Sequence, residues 1–285
     1  MKSIETIPKL KTRAIDAHKG DFGRICIIAG SVGMSGAAAL AGRAALRAGA
    51  GLVRVAVPKG ILPIVASIEP SFTTVALPED GEGRISPKAV NAVLDLVAEN
   101  DCFAFGPGIG VCQGAKSVLQ ELLEQEGLRL VVDADGLNNL CKMTNWPAES
   151  KAQVIVTPHP GEMRRLWSAL IRKPMPADRR EQAVCFAQRT SAVVVLKGAG
   201  TIVSDGNKVY VNRTGNPGMA TAGAGDVLTG VIAALMGQKL GNFDAAVLGV
   251  YIHGLAGDIA AKKTGQVSLI ATDIIDALGD AFKKG

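Results

Sequence analysis

The sequence predicts an α/β fold in which a mainly parallel β-sheet lies between two layers of helices. Short, almost continuously apolar runs end in glycine or a polar turn, which is typical of parallel strands buried on both faces. Helix-like segments separate most of these runs, and this alternation implies right-handed β-α-β units. The strand-like runs cover residues 24–30, 51–58, 102–108, 128–136, 152–160 and 191–200.

Helices are predicted between most of these strands and at the end of the chain. The alanine-rich segment 35–49 closes on Gly49, which suits a helix C-cap. Residues 201–212 differ, because two short β-like runs flank an Asp-Gly-Asn turn and predict a small β-hairpin. With no long linker or internal repeat, residues 1–285 are expected to form a single domain. The other predicted helices cover residues 87–100, 114–127, 160–171, 178–190, 226–237, 243–263 and 272–284.

Composition narrows the classes of function and location. The chain has 31 basic and 26 acidic residues, a net charge of +5, and only 4% aromatic residues. This mild excess suits a small anionic ligand and argues against a nucleic-acid partner. Five scattered cysteines without a C-x-x-C pair indicate free thiols in a reducing compartment. We see no secretory signal and no apolar run long enough to cross a membrane, so a cytoplasmic protein without a membrane partner is expected.

The segment GNPGMATAGAGDVLTG (215–230) contains five glycines and one acid. Glycines let backbone N–H groups turn toward a ligand, and a helix beginning near Ala224 to Asp226 would add a partial positive charge for a phosphate. Asp226 would stand beside that phosphate and could accept a proton from an attacking hydroxyl. The alternative is that Asp226 only complements the helix dipole and the glycines only form a turn.

Two further motifs follow predicted strands. In KGAGT (197–201), Lys197 could meet a phosphate, since ligands of open α/β sheets bind beyond the carboxyl ends of strands. The alternative is a glycine-rich entry to the hairpin with Lys197 in solvent. In TPHPGE (157–162), His159 lies between two prolines that fix φ, and we expect a substrate contact there rather than a structural donor. Three histidines in all argue against a histidine metal cluster.

Acidic and glycine-rich strand ends complete the pattern. In DADGLN (133–138), an extended strand would point Asp133 and Asp135 the same way, toward Mg²⁺ or a hydroxyl, although strand-end aspartates are also common caps and turn formers. The glycine group 30–36 resembles a dinucleotide loop, but Val32 stands where that fingerprint needs its second glycine. A conventional dinucleotide oxidoreductase is therefore poorly supported. With GPGIG (106–110), these strand ends predict one long cleft.

The motifs occur in an ordered set: HKGDFGR (18–24), GSVGMSGAAALAGRAALRAGAGLV (30–53), GPGIG (106–110), DADGLN (133–138), TPHPGE (157–162), KGAGT (197–201), GNPGMATAGAGD (215–226) and HGLAGD (253–258). This set resembles the ADP/ATP-dependent NAD(P)H-hydrate dehydratases of the ribokinase-like superfamily, over nearly the whole chain. The resemblance implies a ribokinase-like, three-layer αβα fold. G-x-G-D alone marks only the superfamily, whereas TPHPGE with NPGMATAGAGD is much more specific.

The resemblance implies a hydro-lyase of metabolite repair. Its substrate would be the S form of hydrated NADH or NADPH, with ADP, or else ATP, as phosphate donor; ADP would leave AMP and phosphate. Mg²⁺ is implied with the nucleotide, although we assign no metal ligand. A homotetramer is also implied. Because the chain starts almost directly at HKGDFGR, we expect a stand-alone form that depends on a separate epimerase.

The resemblance also assigns site residues. Asp226 would be the catalytic base, and the hydrate would contact Ala37, Gly108, His159 and Asp226. To these hydrate contacts we add Asp135 and Asn138. The nucleotide is expected to contact Lys197, Gly198, Ala199, Gly200, Thr201, Asn216 and Gly225.

Two rival functions use the same residues. A small-molecule kinase, acting on a sugar, hydroxymethylpyrimidine or thiazole alcohol, would use the same cleft and Asp226 but leave phosphate on its product. A nucleotide-binding module would sense adenylates without turnover. TPHPGE and the loop beginning at Gly30 favour the dehydratase over the kinase.

Overall fold

A computed structural model of the chain describes residues 2–143 and 146–285. The strands are β1 Lys2–Ser3, β2 Arg24–Ile28, β3 Leu52–Pro58, β4 Thr73–Leu77, β5 Cys102–Phe105, β6 Arg129–Val132, β7 Gln153–Val156, β8 Val193–Leu196, β9 Ile202–Ser204 and β10 Lys208–Val211. The α-helices are α1 Ser35–Arg47, α2 Leu62–Ile68, α3 Ala89–Val97, α4 Gln113–Glu124, α5 Asp135–Leu140, α6 Pro160–Leu166, α7 Arg179–Thr190, α8 Ala224–Gly237, α9 Asn242–Thr264 and α10 Ala271–Lys284.

The strands form one sheet in the order β1-β10-β9-β8-β7-β6-β5-β2-β3-β4. Strands β2 to β8 pair in parallel, whereas β9 is antiparallel to both β8 and β10. The predicted parallel sheet and small hairpin are therefore confirmed. At the hairpin turn, Asp205 Oδ1 accepts hydrogen bonds from the backbone N–H of Asn207 (2.9 Å) and Lys208 (2.7 Å). Two strands were not predicted, β1 and the edge strand β4.

Helices cover both faces of the sheet, giving the expected three layers. One core contains side chains of α1, α2, α8, α9 and α10, and the other contains those of α3 to α7. Consecutive strand residues alternate between the two cores: Ile25 and Ile27 pack on the first face, and Cys26 and Ile28 on the second. Burial on both faces explains why the strand sequences are apolar at nearly every position.

Helix α8 crosses the first face in close contact with α1. A Cβ atom at Gly230 would lie 2.1 Å from the backbone oxygen of Ala41, so only glycine permits this approach. The C-terminal end of α8 is fixed by Arg129, the first residue of β6, whose guanidinium donates hydrogen bonds to the carbonyls of Met236 and Leu240. Met236 lies in the last turn of α8 and Leu240 in the segment that follows it, so the guanidinium ties the end of the helix to the start of β6.

Helix α9 corrects one expectation from the sequence. By length and composition alone Asn242–Thr264 could cross a membrane, with a mean hydropathy of 1.2 in its most apolar window, although no such run was expected. In the fold, 72% of that window is buried, and α9 packs against α8 and α10. Its apolar character is that of a core helix covered by its neighbours on the sheet.

Candidate active site

The predicted motifs meet at one edge of the sheet. Strands β8, β7, β6, β5 and β2 are neighbours and run parallel, so their carboxyl ends lie side by side. Ligands of open α/β folds bind at this edge. The segments that follow these strands are KGAGT (197–201), TPHPGE (157–162), DADGLN (133–138), GPGIG (106–110) and the glycine group 30–36.

Helix α8 begins at Ala224, as the sequence predicts, and points its N-terminus at this edge. Gly223 precedes it with φ +85°, a conformation that glycine adopts without strain. Within residues 2–143 and 146–285, the backbone N–H groups of Gly225 and Asp226 have no hydrogen-bond partner. Two free N–H groups at the positive end of a helix form a site for an anion such as phosphate.

Asp133 is the centre of a buried polar cluster beside that helix end. Its side chain is 1% exposed; Oδ1 accepts a hydrogen bond from Lys197 Nζ (2.6 Å) and Oδ2 accepts one from Thr229 Oγ1 (2.7 Å). Lys197 Nζ also lies 3.9 Å from Glu162 Oε2. Burial lowers the pKa of Lys197, but Asp133 and Glu162 more than offset this and hold the pKa above its ordinary value. Lys197 therefore remains a cation at the mouth of α8.

Asp226 lies in the first turn of α8, partly buried. Burial raises its pKa, the negative charge of Asp133 raises it further and Lys197 opposes both, leaving a value of about 7. A carboxyl group with that pKa is about half ionised at neutral pH. It can accept a proton from a hydroxyl group and later release it.

Glu162 and His159 belong to the turn that starts α6. Glu162 Oε2 accepts a hydrogen bond from the backbone N–H of His159 (2.7 Å), and His159 Nδ1 accepts one from the N–H of Gly161 (3.0 Å). Burial raises the pKa of Glu162, against the influence of Lys197. Burial, with the positive charges of Lys197 and Arg165, lowers the pKa of His159. His159 therefore presents a neutral imidazole, half exposed, to the cleft.

The two aspartates of DADGLN do not share a strand face, contrary to the sequence-based expectation. Strand β6 ends at Val132, Ala134 has φ +49°, and Asp135 begins α5. The backbone thus turns between the two carboxylates. Asp133 enters the buried cluster, whereas Asp135 Oδ2 accepts a hydrogen bond from the N–H of Gly110 (3.0 Å).

The remaining predicted hydrate residues lie around Asp135. Asn138 donates a hydrogen bond from Nδ2 to Asp135 Oδ1 (3.2 Å) and accepts one at Oδ1 from Arg165 Nε (3.0 Å). Gly108 lies against α1, where an added Cβ would be 2.9 Å from the Cβ of Ala37. Its φ of +61° is a second reason for glycine at this position.

A cavity of about 540 Å³ lies next to Lys197. This volume is typical of small-molecule sites. All seven predicted nucleotide residues line it: Lys197, Gly198, Ala199, Gly200, Thr201, Asn216 and Gly225. The Asn216 side chain is not free for a ligand, because Oδ1 accepts from the N–H of Gly218 (3.0 Å) and Nδ2 donates to Asp258 Oδ1 (2.9 Å). Leu228 and Val250 supply apolar walls.

Sequence reasoning missed several residues of the site. Glu162 belongs to the TPHPGE motif, but no role was predicted for it. Thr229 is a lone hydroxyl in an otherwise apolar part of α8. Arg179 of α7 fastens KGAGT by donating to the carbonyls of Leu196, Lys197 and Ala199. Of these, only Glu162 had a local signal, its place beside His159.

His253, in the unassigned HGLAGD segment, also lines the cavity. Its Nε2 atom is sealed from solvent and has no hydrogen-bond partner among the described residues. Burial, partly opposed by the backbone of Ala224, lowers the pKa of His253 to about 4. The side chain is thus a neutral imidazole beside the start of α8.

Comparisons with known proteins agree on one family. A family model described as NAD(P)H-hydrate dehydratase matches residues 25–279. The chain is 45% identical over 272 residues to the bifunctional NAD(P)H-hydrate repair enzyme Nnr of Moorella thermoacetica, covering 95% of this chain and 51% of that protein. It spans about half the length of the curated relatives it matches.

Solved structures show the same fold. The ADP/ATP-dependent NAD(P)H-hydrate dehydratase of Bacillus subtilis, co-crystallised with ATP and Mg²⁺, has a TM-score of 0.82 at 27% identity, over 96% of this chain and 94% of that one. A ribokinase-like superfamily protein of Enterococcus faecalis has a TM-score of 0.81 at 26% identity, over 96% and 92%. The α/β fold of this chain is therefore ribokinase-like.

Proposed function

The chain belongs to the NAD(P)H-hydrate dehydratase family, and we propose that it restores NADH or NADPH from the S form of the corresponding hydrate, with ADP or ATP as phosphate donor. One observation carries this proposal: the unpartnered N–H groups of α8, Asp226 and Lys197 converge beside the cavity lined by the predicted nucleotide residues. Phosphoryl transfer needs such an anion site next to a base.

The cavity would hold the nucleotide. Its apolar walls suit the base and sugar, and its inner end suits the phosphates, because Lys197 Nζ lies 3.4 Å from the position of a Cβ on Gly225. Lys197 and the first N–H groups of α8 would then hold the terminal phosphate. Arg179 would keep the KGAGT backbone in place for this contact.

The chemistry begins at Asp226. Its carboxylate would take the proton of the ring hydroxyl as that oxygen attacks the terminal phosphorus, forming one P–O bond and breaking the bond to the nucleotide. Phosphate is a much better leaving group than hydroxide. The lone pair of the ring nitrogen then expels it, and loss of a proton from the neighbouring carbon restores the double bond. The N–H groups of Gly225 and Asp226 would stabilise charge on the transferring group.

The hydrate would lie on the other side of Asp226, between Gly108 and His159. The absence of a side chain at Gly108, in contact with Ala37, leaves room for a flat ring. His159 Nδ1 accepts from Gly161, so the neutral imidazole carries its proton on Nε2, which would donate a hydrogen bond to the carboxamide oxygen. Asp135 and Asn138, which bind each other, complete this proposed wall.

Mg²⁺ is part of the proposal because carboxylate side chains, which Mg²⁺ prefers as ligands, lie near the proposed position of the phosphates. Both oxygens of Asp133 accept hydrogen bonds, from Lys197 and Thr229. In Glu162 only Oε2 accepts a short one, from the backbone N–H of His159, and Oε1 has a 3.5 Å contact with His159 Nε2. Glu162 would hold the ion, with phosphate oxygens and water as the other ligands that Mg²⁺ prefers. The ion would neutralise charge on the phosphates.

Further parts of the proposal concern the whole protein. We take residues 1–285 as one domain, since a single sheet carries strands from Lys2 to Val211. A cytoplasmic location, a homotetramer, ADP as the preferred donor and a separate epimerase remain proposals from family resemblance. Light scattering of the purified chain would test the oligomer.

The test is an absorbance assay. Purified protein is mixed with hydrated NADH and Mg²⁺, and ADP or ATP is added in separate cuvettes. We expect the near-ultraviolet band of NADH to return, matched by phosphate release, and to stop when the S epimer is consumed. Adding an epimerase should then restart it. Nucleotide binding without any return of NADH would contradict the proposal and favour a small-molecule kinase.

A further inference from the structure

The HGLAGD segment of α9 supports the loop that closes the nucleotide cavity. Its two glycines lie where the loop touches the helix. A Cβ on Gly254 would be 2.3 Å from Thr214 Oγ1 and 2.7 Å from the Thr214 backbone carbon, and one on Gly257 would be 2.2 Å from Met219 Sδ. Residues 214–219 therefore lie directly on the surface of α9.

Asp258, one residue beyond Gly257, ties this loop to the helix with both carboxylate oxygens. Oδ2 accepts a hydrogen bond from the backbone N–H of Gly215 (2.9 Å), and Oδ1 accepts one from Asn216 Nδ2 (2.9 Å). Asn216 in turn restrains the next part of the loop, because its Oδ1 accepts a hydrogen bond from the N–H of Gly218 (3.0 Å). Three linked hydrogen bonds thus fix the loop.

At its first residue the loop has one further tie to α9, because Thr214 Oγ1 donates a hydrogen bond to the backbone carbonyl of Tyr251 (2.9 Å). Beyond Thr214 it has few other hydrogen bonds. Within residues 2–143 and 146–285, no other hydrogen bond joins residues 215–220 to a different segment. Gly215, which follows Thr214, has φ +104°, a conformation that glycine adopts without strain. Yet Gly215, Asn216, Pro217 and Met219 all line the cavity, and the same loop leads into α8.

We propose that Asp258 is a positioning residue for the adenine nucleotide: it touches no ligand, but it holds residues 215–219 in place as a wall of the cavity. This inference rests on the proposed use of that cavity for a nucleotide. Loss of the Asp258 hydrogen bonds would let this wall shift and would weaken nucleotide binding. The reacting groups around Asp226 would stay in place.

Exchanging the side chains of Asp258 and Asn216 separates the effect of the loop position from the effect of the charge on Asp258. In Asp258→Asn, one oxygen still accepts from Gly215, but the new amide NH₂ faces the NH₂ of Asn216. Asn216 cannot turn over without losing its bond to Gly218. Combining Asn216→Asp with Asp258→Asn reverses the middle hydrogen bond and restores all three at unchanged net charge.

The dissociation constant of ADP would be measured by calorimetry, and the KM of each substrate by the absorbance assay. For Asp258→Asn we expect the dissociation constant and the nucleotide KM to rise about tenfold, the effect of one lost hydrogen bond to a charged group. The hydrate KM should change less than about twofold, and the exchanged double variant should recover most of the loss. Gly254→Ala, which pushes Thr214 off the helix, should raise the nucleotide KM in the same way. Asp280→Asn, which removes an exposed carboxylate bonded to Lys283, is the matched control.

The outcomes separate this inference from the proposed function. Equal ADP affinity in the wild type and Asp258→Asn would overturn the inference, even if the wild type restores NADH. An exchanged variant as weak as Asp258→Asn, or a loss confined to kcat, would also overturn it. A wild type that binds ADP but restores no NADH refutes only the dehydratase, and a wild type that binds neither ADP nor ATP refutes both.

Discussion

Replacing Asp226 by Asn tests the proposed base most directly. The amide has nearly the same size and still fits the first turn of α8, but it cannot accept the hydroxyl proton. The nucleotide contacts should survive, since Lys197 and the N–H of Gly225 are unchanged. Removing a negative charge next to the phosphates should, if anything, tighten nucleotide binding.

The pKa of Asp226 sets the expected magnitudes. With a pKa of about 7, about one tenth of the enzyme has the ionised base at pH 6 and about nine tenths at pH 8. Since kcat/KM reports the free enzyme, it should rise about tenfold over this range in the wild type. A positioned general base contributes roughly 10²–10⁴-fold. Asp226→Asn should lose that factor in kcat, and its residual activity should lack the pH rise.

The measurement is the return of the NADH band at saturating Mg²⁺, from pH 6 to pH 8, with calorimetric titration of ADP in parallel. The nucleotide phosphates also ionise in this range, so the profile of the variant is the control for substrate ionisation. Loss of less than about tenfold in kcat would refute the base role. So would the same pH rise in both proteins.

Two further predictions concern stability. Thr229→Val removes the buried hydroxyl that donates to Asp133. We expect the free energy of unfolding, measured in urea, to fall by about 1–3 kcal/mol. Thr229→Ser keeps the donor and should lose less stability, so equal losses in the two variants would contradict the argument. His253 has a folded pKa of about 4 against an ordinary 6.5, so its contribution to stability is present above pH 6.5 and is lost as the pH falls toward 4, by roughly 3 kcal/mol. His253→Gln should lack this loss, and parallel unfolding curves across that pH range would show that the imidazole is not the cause.

The fold was predictable where burial leaves a local trace. A parallel strand buried on both faces must be apolar at nearly every position, so β2, β3 and β5 to β8 could be found from short apolar runs. Strand β4 was missed because it lies at the sheet edge with one neighbour, and its sequence TTVAL is partly exposed. Strand β1 has only two residues and pairs with β10, about 200 positions away.

The site was predictable where glycines and helix starts mark the backbone. The beginning of α8 is confirmed, and the predicted nucleotide residues share one cavity. The partners of Asp133 were not predictable, since Lys197 and Thr229 are 64 and 96 residues away and no local pattern links them. The expectation that Asp133 and Asp135 share a face was wrong, because β6 ends at Val132 and Asp135 already belongs to α5.

Helix α8 and strand β6 together form a closed frame. Arg129, at the start of β6, holds the far end of the helix, and Asp133, just after the strand, holds Thr229 near its beginning. Asp226 is mounted on this frame, so its separation from Asp133 is set by two rigid elements and not by any loop. Insertions and substitutions in the surrounding loops can therefore change which molecules are accepted while the spacing of Asp226 and Asp133 stays constant. The same reaction can then be kept while changes in the loops alter the substrate specificity.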